Sequence, residues 1–240
     1  MVFADKLMKA YFNFVYNPVY DFTTARFNRY RELQESCIEK LTVKDKDLIL
    51  CVGVGTGNEI VRILRVNQNV QIVGIDYSET ALRKAYEKAL KMGRQIEVAV
   101  MDAQRLEFLG GTFDKVLCFH VMDFVEDKNA VTHEILRVLR KGGRFVITYP
   151  SRREGPKLGC NLLRDNIRNN IATEKHRILS VSRTLVQMLA GIIYVPLLFR
   201  PNQKSCSRTE LEAIFTKSTT EGFQIEEDPL YQDLIVYGRK

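Results

Sequence analysis

Residues 48–58, Leu-Ile-Leu-Cys-Val-Gly-Val-Gly-Thr-Gly-Asn, decide the fold because an apolar run leads directly into a cluster of glycines. The run at 48–52 is typical of a strand that is buried on both faces of a parallel sheet. Three glycines at alternate positions permit a tight turn and let a ligand approach the backbone closely. A helix predicted at 58–65 would add its unpaired N–H groups to the same place. The stretch could instead be a plain strand-to-helix turn, but the repeated glycines argue against this.

The chain beyond the glycines alternates between apolar strands and helical stretches. Further strands are predicted at 70–75, 96–100, 115–119 and 144–149, and further helices at 79–91 and 127–140, the latter closed by Lys141-Gly142-Gly143. Ser78 is a candidate N-cap for the helix at 79–91. Repeated units of this kind predict a mostly parallel sheet with helices on both faces. A helix at 209–216 and strands at 224–227 and 233–237 are predicted to close the domain.

The residues before the first strand have the periodicity of helices. Leu33, Cys37 and Leu41 are apolar at helical spacing. Asn17-Pro18 interrupts this region because proline disfavours helix in the residue before it. We therefore expect two helices within 5–41, of which the second runs over 23–41.

Composition places the chain among ordinary globular proteins. Of its 240 residues, 45% are hydrophobic and 27% are charged, which is enough apolar material for a sizeable core. The five cysteines form no C-x-x-C pair and the three histidines have no ligand spacing, so we expect reduced thiols and no metal site. The N-terminus lacks a continuous apolar signal region, and the longest apolar run, 185–199, is shorter than the roughly 20 residues that span a bilayer. These features predict a cytoplasmic location.

Positive charge is concentrated in one segment of the chain. The net charge is +7, and residues 152–208 hold eleven Lys and Arg against three acidic residues, so this segment is +8 and the remainder is −1. Such a concentration of charge attracts anionic partners. A lipid headgroup, an acidic substrate and nucleic acid all remain open at this point.

An acidic residue after the second strand indicates that the glycine loop receives a nucleoside. Asp76 ends the second predicted strand, nineteen residues beyond Gly57, where its carboxylate can accept hydrogen bonds from both ribose hydroxyls. The dinucleotide fingerprint G-x-G-x-x-G fits less well, because its third glycine would fall at Asn58. No Walker-type lysine follows the loop to hold a triphosphate. Asp76 could instead cap the following helix.

With these motifs the sequence resembles the class I S-adenosylmethionine (SAM) dependent methyltransferases over about residues 16–150. It is most similar to the ubiquinone/menaquinone C-methyltransferase-like branch, which in turn is similar to phosphatidylethanolamine N-methyltransferases. The resemblance rests on five segments in the family's order: 51–57, 73–78, 100–103, 113–116 and 136–144. It implies an α/β fold with a Rossmann-like, doubly wound, mostly parallel sheet of seven strands, N-terminal helices and a helical cap insertion.

The resemblance also implies SAM as the cofactor and a set of residues that bind it. Asp76 matches the acid that binds the ribose, and Asp102 matches an acid near the adenine amino group. The full set is Gly53, Gly55, Thr56, Gly57, Asp76, Tyr77, Asp102, Ala103, Phe119, Tyr16 and Tyr20. The two last tyrosines match aromatic residues of the family's lid, although they could be ordinary packing residues.

One position departs from the family's pattern. Cys51 stands where the family has an acid that holds water or the methionine amino group of SAM. Glu59 or another acid could substitute for it. The departure also admits the alternative that the chain is a non-catalytic, SAM-binding regulatory relative.

The implied domain plan is a single domain, 1–240, in four parts. These are a lid at 1–41, a SAM-binding core at 42–150, a cap insertion at 151–205, and a closing helix and strands at 206–240. His120 is the candidate catalytic residue, because ligands of a doubly wound sheet bind at the carboxyl ends of its strands. It could instead be a buried histidine that is hydrogen-bonded to backbone.

The cap insertion contains an apolar stretch at 178–199 with Arg177, Arg183 and Arg200 around it. Such a segment could lie on an anionic membrane as part of a basic surface at 152–208, or it could be a core helix of the cap. Either possibility favours a small hydrophobic or lipid-like acceptor. An RNA or protein methyltransferase is the alternative, but nucleic acid is disfavoured because no N-P-P-Y or D-P-P-Y motif follows the fourth strand.

Overall fold

The computed structural model describes most of the chain outside the cap insertion. The described residues are 11, 14–15, 17–24, 27–151, 160–161, 164–165, 167–168, 170–172, 181–182, 184–186, 188–189, 205–218, 222–228 and 231–240. The helices are α1 Asn17–Thr24, α2 Asn28–Leu41, α3 Asn58–Val66, α4 Glu79–Lys91, α5 Lys128–Val138 and α6 Arg208–Lys217. The strands are β1 Leu48–Val52, β2 Gln71–Asp76, β3 Glu97–Val100, β4 Phe113–Cys118, β5 Leu139–Pro150, β6 Phe223–Asp228 and β7 Asp233–Arg239.

One seven-stranded sheet organises the molecule, with the strand order β3-β2-β1-β4-β5-β7-β6. Strands β1 to β5 are parallel to their neighbours, whereas β7 runs antiparallel to both β5 and β6. The chain winds outward from β1 in both directions, so the carboxyl ends of β1 to β4 meet at one edge beside the switch point between β1 and β4. The predicted fold class is confirmed.

Helices cover both faces of this sheet, as the alternating pattern predicts. On one face α2, α3 and α4 bury side chains such as Leu33 and Ile63 against Ile49. On the other face α5 and α6 bury Ile135 and Phe215. The sheet is therefore sandwiched, which fixes the positions of its strand ends rigidly.

The first helix boundary differs from the prediction of one helix over 23–41. Helix α1 runs to Thr24, Phe27 is extended, and α2 begins at Asn28. Pro18 lies in the first turn of α1, where its missing N–H has no helical partner to lose. The structure therefore shows a break after α1, and the Thr24 hydroxyl donates to Tyr20 O at 2.8 Å near the end of that helix.

The predicted helix at 127–140 was also wrong at its end. Helix α5 ends at Val138, and Leu139 is already extended and pairs with Phe113 of β4. The expected closing glycines belong to β5 instead, because Gly142 N donates to Lys240 O at 2.7 Å and joins the sheet to the end of β7. The N-cap prediction is confirmed, since Ser78 Oγ accepts from Ala81 N at 3.3 Å.

Helix α1 packs over the glycine loop and the start of α4. Asn17 Nδ2 donates to Ser78 Oγ at 3.0 Å, and Asp21 forms an ion pair with Lys88 of α4 at 2.6 Å. The cap insertion lies largely outside the described residues, which are helical where they fall between 160 and 189. Within the described part of the chain, no helix is long and apolar enough to cross a membrane, and no metal-ligating cluster occurs. All five cysteines are free thiols.

Candidate functional site

The loops after β1, β2, β3 and β4 bring the predicted site residues together at one edge of the sheet. Ten of the eleven predicted cofactor residues are described, and Tyr16 lies outside the described residues. Nine of these ten lie on the strand-end loops, and Tyr20 lies on α1. The site therefore follows the order of the parallel strands along the edge.

The glycine loop has a backbone that other residues adopt only with strain. Gly53, Gly55 and Gly57 have φ angles of 62°, 52° and 83°. A Cβ on Gly57 would lie 2.7 Å from Ala85 Cα, and a Cβ on Gly53 would lie 2.2 Å from Val121 Cγ2. A Cβ on Gly55 would meet nothing within 4 Å. Two glycines thus permit close packing inside the protein, whereas Gly55 borders open space that a ligand can fill.

Asp76 connects the glycine loop to the start of α4. Its Oδ2 accepts from Gly55 N at 2.9 Å, and its Oδ1 accepts from Ser78 N at 2.9 Å. Burial raises the pKa of Asp76, and these N–H donors oppose that effect. The N-cap of α4 is Ser78, so Asp76 is not the cap of that helix. The backbone N–H of Tyr77 also acts on this carboxylate, so about one of its four acceptor positions remains for a ribose hydroxyl.

The other predicted cofactor residues near Asp76 differ in how far their side chains are exposed to solvent. Asp102 follows β3, is exposed, and accepts from Gln104 N at 2.8 Å. Tyr77 is 42% exposed beside Asp76. Thr56 differs, because its buried hydroxyl donates to Asp21 Oδ1 at 2.6 Å. The Thr56 side chain therefore ties α1 to the loop.

Lys88 on α4 connects α1 to the glycine loop through its ammonium group. Its Nζ donates to Asp21 at 2.6 Å and to Asn58 Oδ1 at 2.7 Å, and it lies 3.2 Å from Thr56 Oγ1. Burial lowers the pKa of Lys88, and the Asp21 carboxylate opposes this effect. The contacts hold α1 against the loop that the cofactor is expected to approach.

His120 lies directly after β4 in a strained conformation. Its φ is +54°, and its backbone N–H donates to Thr148 Oγ1 on β5 at 2.8 Å. Its Nε2 lies 2.7 Å from Asp233 Oδ2, at the start of β7. Burial, the largest single effect, lowers the pKa of His120, but the carboxylates of Asp233, Asp123 and Glu59 together outweigh it and raise the pKa to about 9. Left-handed non-glycine residues are enriched at functional sites, where the surroundings compensate for the strain.

Aromatic rings surround the imidazole of His120. Phe119 stacks on it with ring centroids 4.3 Å apart, and the rings of Tyr30 and Tyr231 lie at 5.5 Å and 5.9 Å. The hydroxyl of Tyr20 on α1 is hydrogen-bonded to that of Tyr30 on α2. Four separate parts of the chain thus contribute to one aromatic cluster that contains the imidazole.

Sequence reasoning missed Tyr30, Tyr231 and Asp233. Tyr30 belongs to an ordinary amphipathic pattern in α2, and no local spacing marks it as part of a site. Asp233 lies 113 residues after His120, and only the pairing of β5 with β7 brings it to the edge of the sheet.

The position that departs from the family's pattern is closed to solvent. Cys51 is buried near the end of β1, and burial raises the pKa of its thiol. A neutral thiol cannot replace a carboxylate as an acceptor for a cation. The nearest described acid on the next helix is Glu59, whose charge also acts on Cys51.

Comparisons with known proteins agree with this geometry. A family model described as a methyltransferase domain matches residues 44–213. Phosphatidylethanolamine N-methyltransferase of Cereibacter sphaeroides is 38% identical over 111 residues, which are 45% of this chain and 53% of the relative. A ubiquinone/menaquinone biosynthesis C-methyltransferase of Desulfotalea psychrophila is 33% identical over 98 residues, which are 41% of this chain and 39% of the relative. The chain thus spans about half the length of the first relative and less of the second.

A solved structure extends the comparison to the whole chain. Magnesium protoporphyrin IX methyltransferase from Synechocystis, solved with bound S-adenosylhomocysteine, covers 98% of this chain and 99% of its own with a TM-score of 0.65. At 13% identity this likeness shows the fold alone. Since the family model matches well over half of the residues and the fold is that of class I SAM-dependent methyltransferases, the chain belongs to the methyltransferase domain family.

Proposed function

We propose that the protein is a SAM-dependent methyltransferase that acts on a small hydrophobic or lipid-like acceptor. The observation that carries the proposal is the order of groups along the sheet edge. Asp102 follows β3, Asp76 ends β2, the glycine loop follows β1, and His120 follows β4. This order matches an extended cofactor whose adenine lies near Asp102, whose ribose lies at Asp76, and whose methionine part, which carries the methyl group on its sulfur, lies between the glycine loop and His120.

The described residues fit this cofactor in shape and in chemistry. The open space beside Gly55 is the cradle that a Cβ would fill. Asp76 would accept hydrogen bonds from the ribose hydroxyls, and the exposed carboxylate of Asp102 would lie at the adenine end. When bound, SAM supplies a methyl group that its sulfonium has already activated. The protein's main task is then to orient the acceptor, which can supply much of the rate enhancement.

His120 is better suited to positioning an acceptor than to abstracting a proton. Neighbouring carboxylates raise its pKa to about 9, which favours the protonated imidazole, and Asp233 Oδ2 lies 2.7 Å from its Nε2. A general base is needed only where an acceptor must lose a proton before it attacks. His120 instead fixes a charged, aromatic wall beside the expected position of the methyl group, against which an acceptor is positioned and water is excluded.

The proposal of a hydrophobic acceptor rests on the aromatic rings around His120 and on the apolar side chains of the cap. The wall around His120 is aromatic, with Phe119, Tyr30 and Tyr231. The two relatives are named for an aminophospholipid and for quinone biosynthesis. In the described part of the cap, several apolar side chains are exposed: Ile171, Val181, Leu185, Met188 and Leu189.

The first experiment tests the cofactor and then the reaction. Calorimetry should detect SAM and S-adenosylhomocysteine at micromolar affinity and no NADH. The protein and isotopically labelled methyl-SAM are then incubated with a total lipid and metabolite extract, and labelled products are identified by mass spectrometry. Binding of NADH in place of SAM would overturn the proposal. Tight SAM binding without any labelled product would favour the non-catalytic, regulatory alternative.

A second experiment tests peripheral binding to an anionic membrane. The basic segment 152–208 contains exposed apolar side chains at helical spacing. They are Val181, Leu185 and Met188, each in a described helical stretch. We expect co-sedimentation with anionic liposomes at low salt, because each basic residue near such a surface contributes about 1 kcal/mol. The triple change R177Q/R183Q/R200Q should weaken it. Binding that is absent at low salt, or indifferent to these changes, would leave the cap as a closed substrate lid.

A further inference from the structure

The amino acid end of SAM needs an anionic receptor, and the usual position for one is occupied by a thiol in this chain. The cofactor ends in an ammonium group, and a buried ammonium is stable only beside a carboxylate or several hydrogen-bond acceptors. If Asp76 holds the ribose over β2, the amino acid extends toward β1 and β4. The receptor must therefore lie beside the glycine loop, near the buried Cys51.

Glu59 is the described acid that follows the glycine loop. It is the second residue of α3, and its side chain is partly buried. Its Oε1 accepts from Gln34 Nε2 at 2.6 Å, and Gln34 Oε1 in turn accepts from Arg62 Nε at 3.0 Å. Gln34 is itself buried on α2. The carboxylate is therefore held in one orientation by a fixed amide rather than being free to turn into solvent.

Charged and titratable groups of the strand-end loops act on the same carboxylate. Burial raises the pKa of Glu59, while its own backbone N–H, Gln34, Lys88 and His120 oppose this effect. Its charge in turn helps to raise the pKa of the Cys51 thiol. Glu59 thus lies within electrostatic reach both of the end of β1 and of the residue that follows β4.

Two other carboxylates near this edge already have cationic partners. Asp21 is paired with Lys88 at 2.6 Å, and Asp233 lies 2.7 Å from His120 Nε2. The Glu59 carboxylate instead accepts a hydrogen bond from the neutral amide of Gln34. A bound ammonium would therefore add a charge partner to Glu59 without displacing an existing ion pair.

We propose that Glu59, oriented by Gln34, receives the α-amino group of SAM and so replaces the acid that is missing at position 51. This inference rests on the proposed function, because it assumes that SAM is the cofactor. It assigns Glu59 to the binding of the cofactor's amino acid end and not to the stability of α3. An acid in the first helical turn also interacts favourably with the helix dipole, and the experiment must separate these two roles.

The test compares ligands that differ in one group, and it measures binding only. Wild-type protein, E59Q and E35Q are titrated with S-adenosylhomocysteine and with its analogue that lacks the α-amino group. Loss of a charge-assisted hydrogen bond predicts that wild-type protein binds the analogue about ten- to a hundredfold more weakly. In E59Q this ratio should fall to about threefold or less. 5′-Methylthioadenosine, which lacks the entire amino acid, should bind both proteins equally.

E35Q is the matched control for the loss of a carboxylate. Glu35 lies on α2 next to Gln34, is 57% exposed and pairs with Arg62 of α3 at 2.7 Å, so E35Q should keep the wild-type ratio. If E59Q does not fold, E59D can be used, because it retains the charge on a shorter side chain. Its preference for S-adenosylhomocysteine over the analogue without the amino group should be smaller than that of wild-type protein but still greater than one.

The outcomes separate this inference from the proposed function. A wild-type ratio near one, or an unchanged ratio in E59Q, would overturn the role of Glu59 while SAM binding stands. Wild-type protein that binds neither S-adenosylhomocysteine nor 5′-methylthioadenosine would overturn both.

Discussion

The ion pair between His120 and Asp233 should make the stability of the protein depend on pH in a defined way. The change Asp233→Asn keeps the shape of the side chain and removes its charge. The two side chains are 21% and 5% exposed, so solvent screens their interaction only weakly. His120 should therefore lose the main cause of its raised pKa, and burial should then hold the pKa of the imidazole at or below its ordinary value.

The magnitude follows from the pKa of His120 in the folded protein, about 9, and its ordinary value of 6.5. A raised histidine pKa contributes stability that is complete below the unfolded value and is lost as pH rises through the folded value. The wild-type protein should thus lose about 3 kcal/mol of unfolding free energy between pH 6.5 and 9 from this group. In Asp233→Asn this loss should disappear, and the variant should be less stable than wild-type protein at pH 6.5 but similar near pH 10.

Two measurements test this reasoning. Urea denaturation at several pH values gives the unfolding free energies of wild-type protein and Asp233→Asn. The chain has only three histidines, so an NMR titration of the imidazole protons can follow His120 directly, with His120→Gln as the assignment control. Asp123→Asn is the matched control, because Asp123 raises the pKa of His120 less than Asp233 does. A wild-type His120 that titrates near or below 6.5 would refute the ion pair and restore the interpretation of a neutral, buried histidine.

Four further predictions concern two glycines of the loop, the ribose acid and the thiols. Gly55→Ala should cost only about 1–2 kcal/mol of stability for its left-handed backbone but should weaken S-adenosylhomocysteine binding more than about tenfold, because its Cβ enters the open cradle. Gly57→Ala should destabilise the fold further in thermal unfolding, since its Cβ would lie 2.7 Å from Ala85 Cα. In calorimetry, Asp76→Ala should weaken SAM binding by about 1–3 kcal/mol, and an unchanged affinity would exclude its ribose role. Native protein should react rapidly with a thiol reagent at the exposed Cys160, whereas its three buried cysteines should react only on unfolding.

The cofactor half of the site could be predicted because its signals are local in the sequence. Gly55 and Asp76 lie within one strand-helix-strand unit, and their spacing follows directly from the geometry of that unit. The strand order then places Asp102 on the same edge. Errors at helix ends had tertiary causes that no local pattern contains, such as the pairing of Leu139 with Phe113.

The acceptor half could not be predicted for the opposite reason. The left-handed backbone of His120 depends on Thr148 of the neighbouring strand, and its charge depends on Asp233 at the far end of the chain. No residue type at position 120 indicates either contact. The placement of Tyr20 against Tyr30 likewise depends on how two N-terminal helices pack.

The boundary between these halves coincides with the extent of the family match. The family model spans 44–213, which contains the glycine loop and the acids after β2 and β3. The described partners of His120 from outside that range are Tyr30 on α2 and, after β6, Tyr231 and Asp233. We therefore expect the shared core to carry most of the cofactor contacts, whereas the residues that we expect to meet the acceptor come partly from the two ends of the chain. Proteins that share the core can then differ in acceptor through their terminal elements, so transplanting the β6–β7 hairpin between relatives should change acceptor preference without changing affinity for S-adenosylhomocysteine.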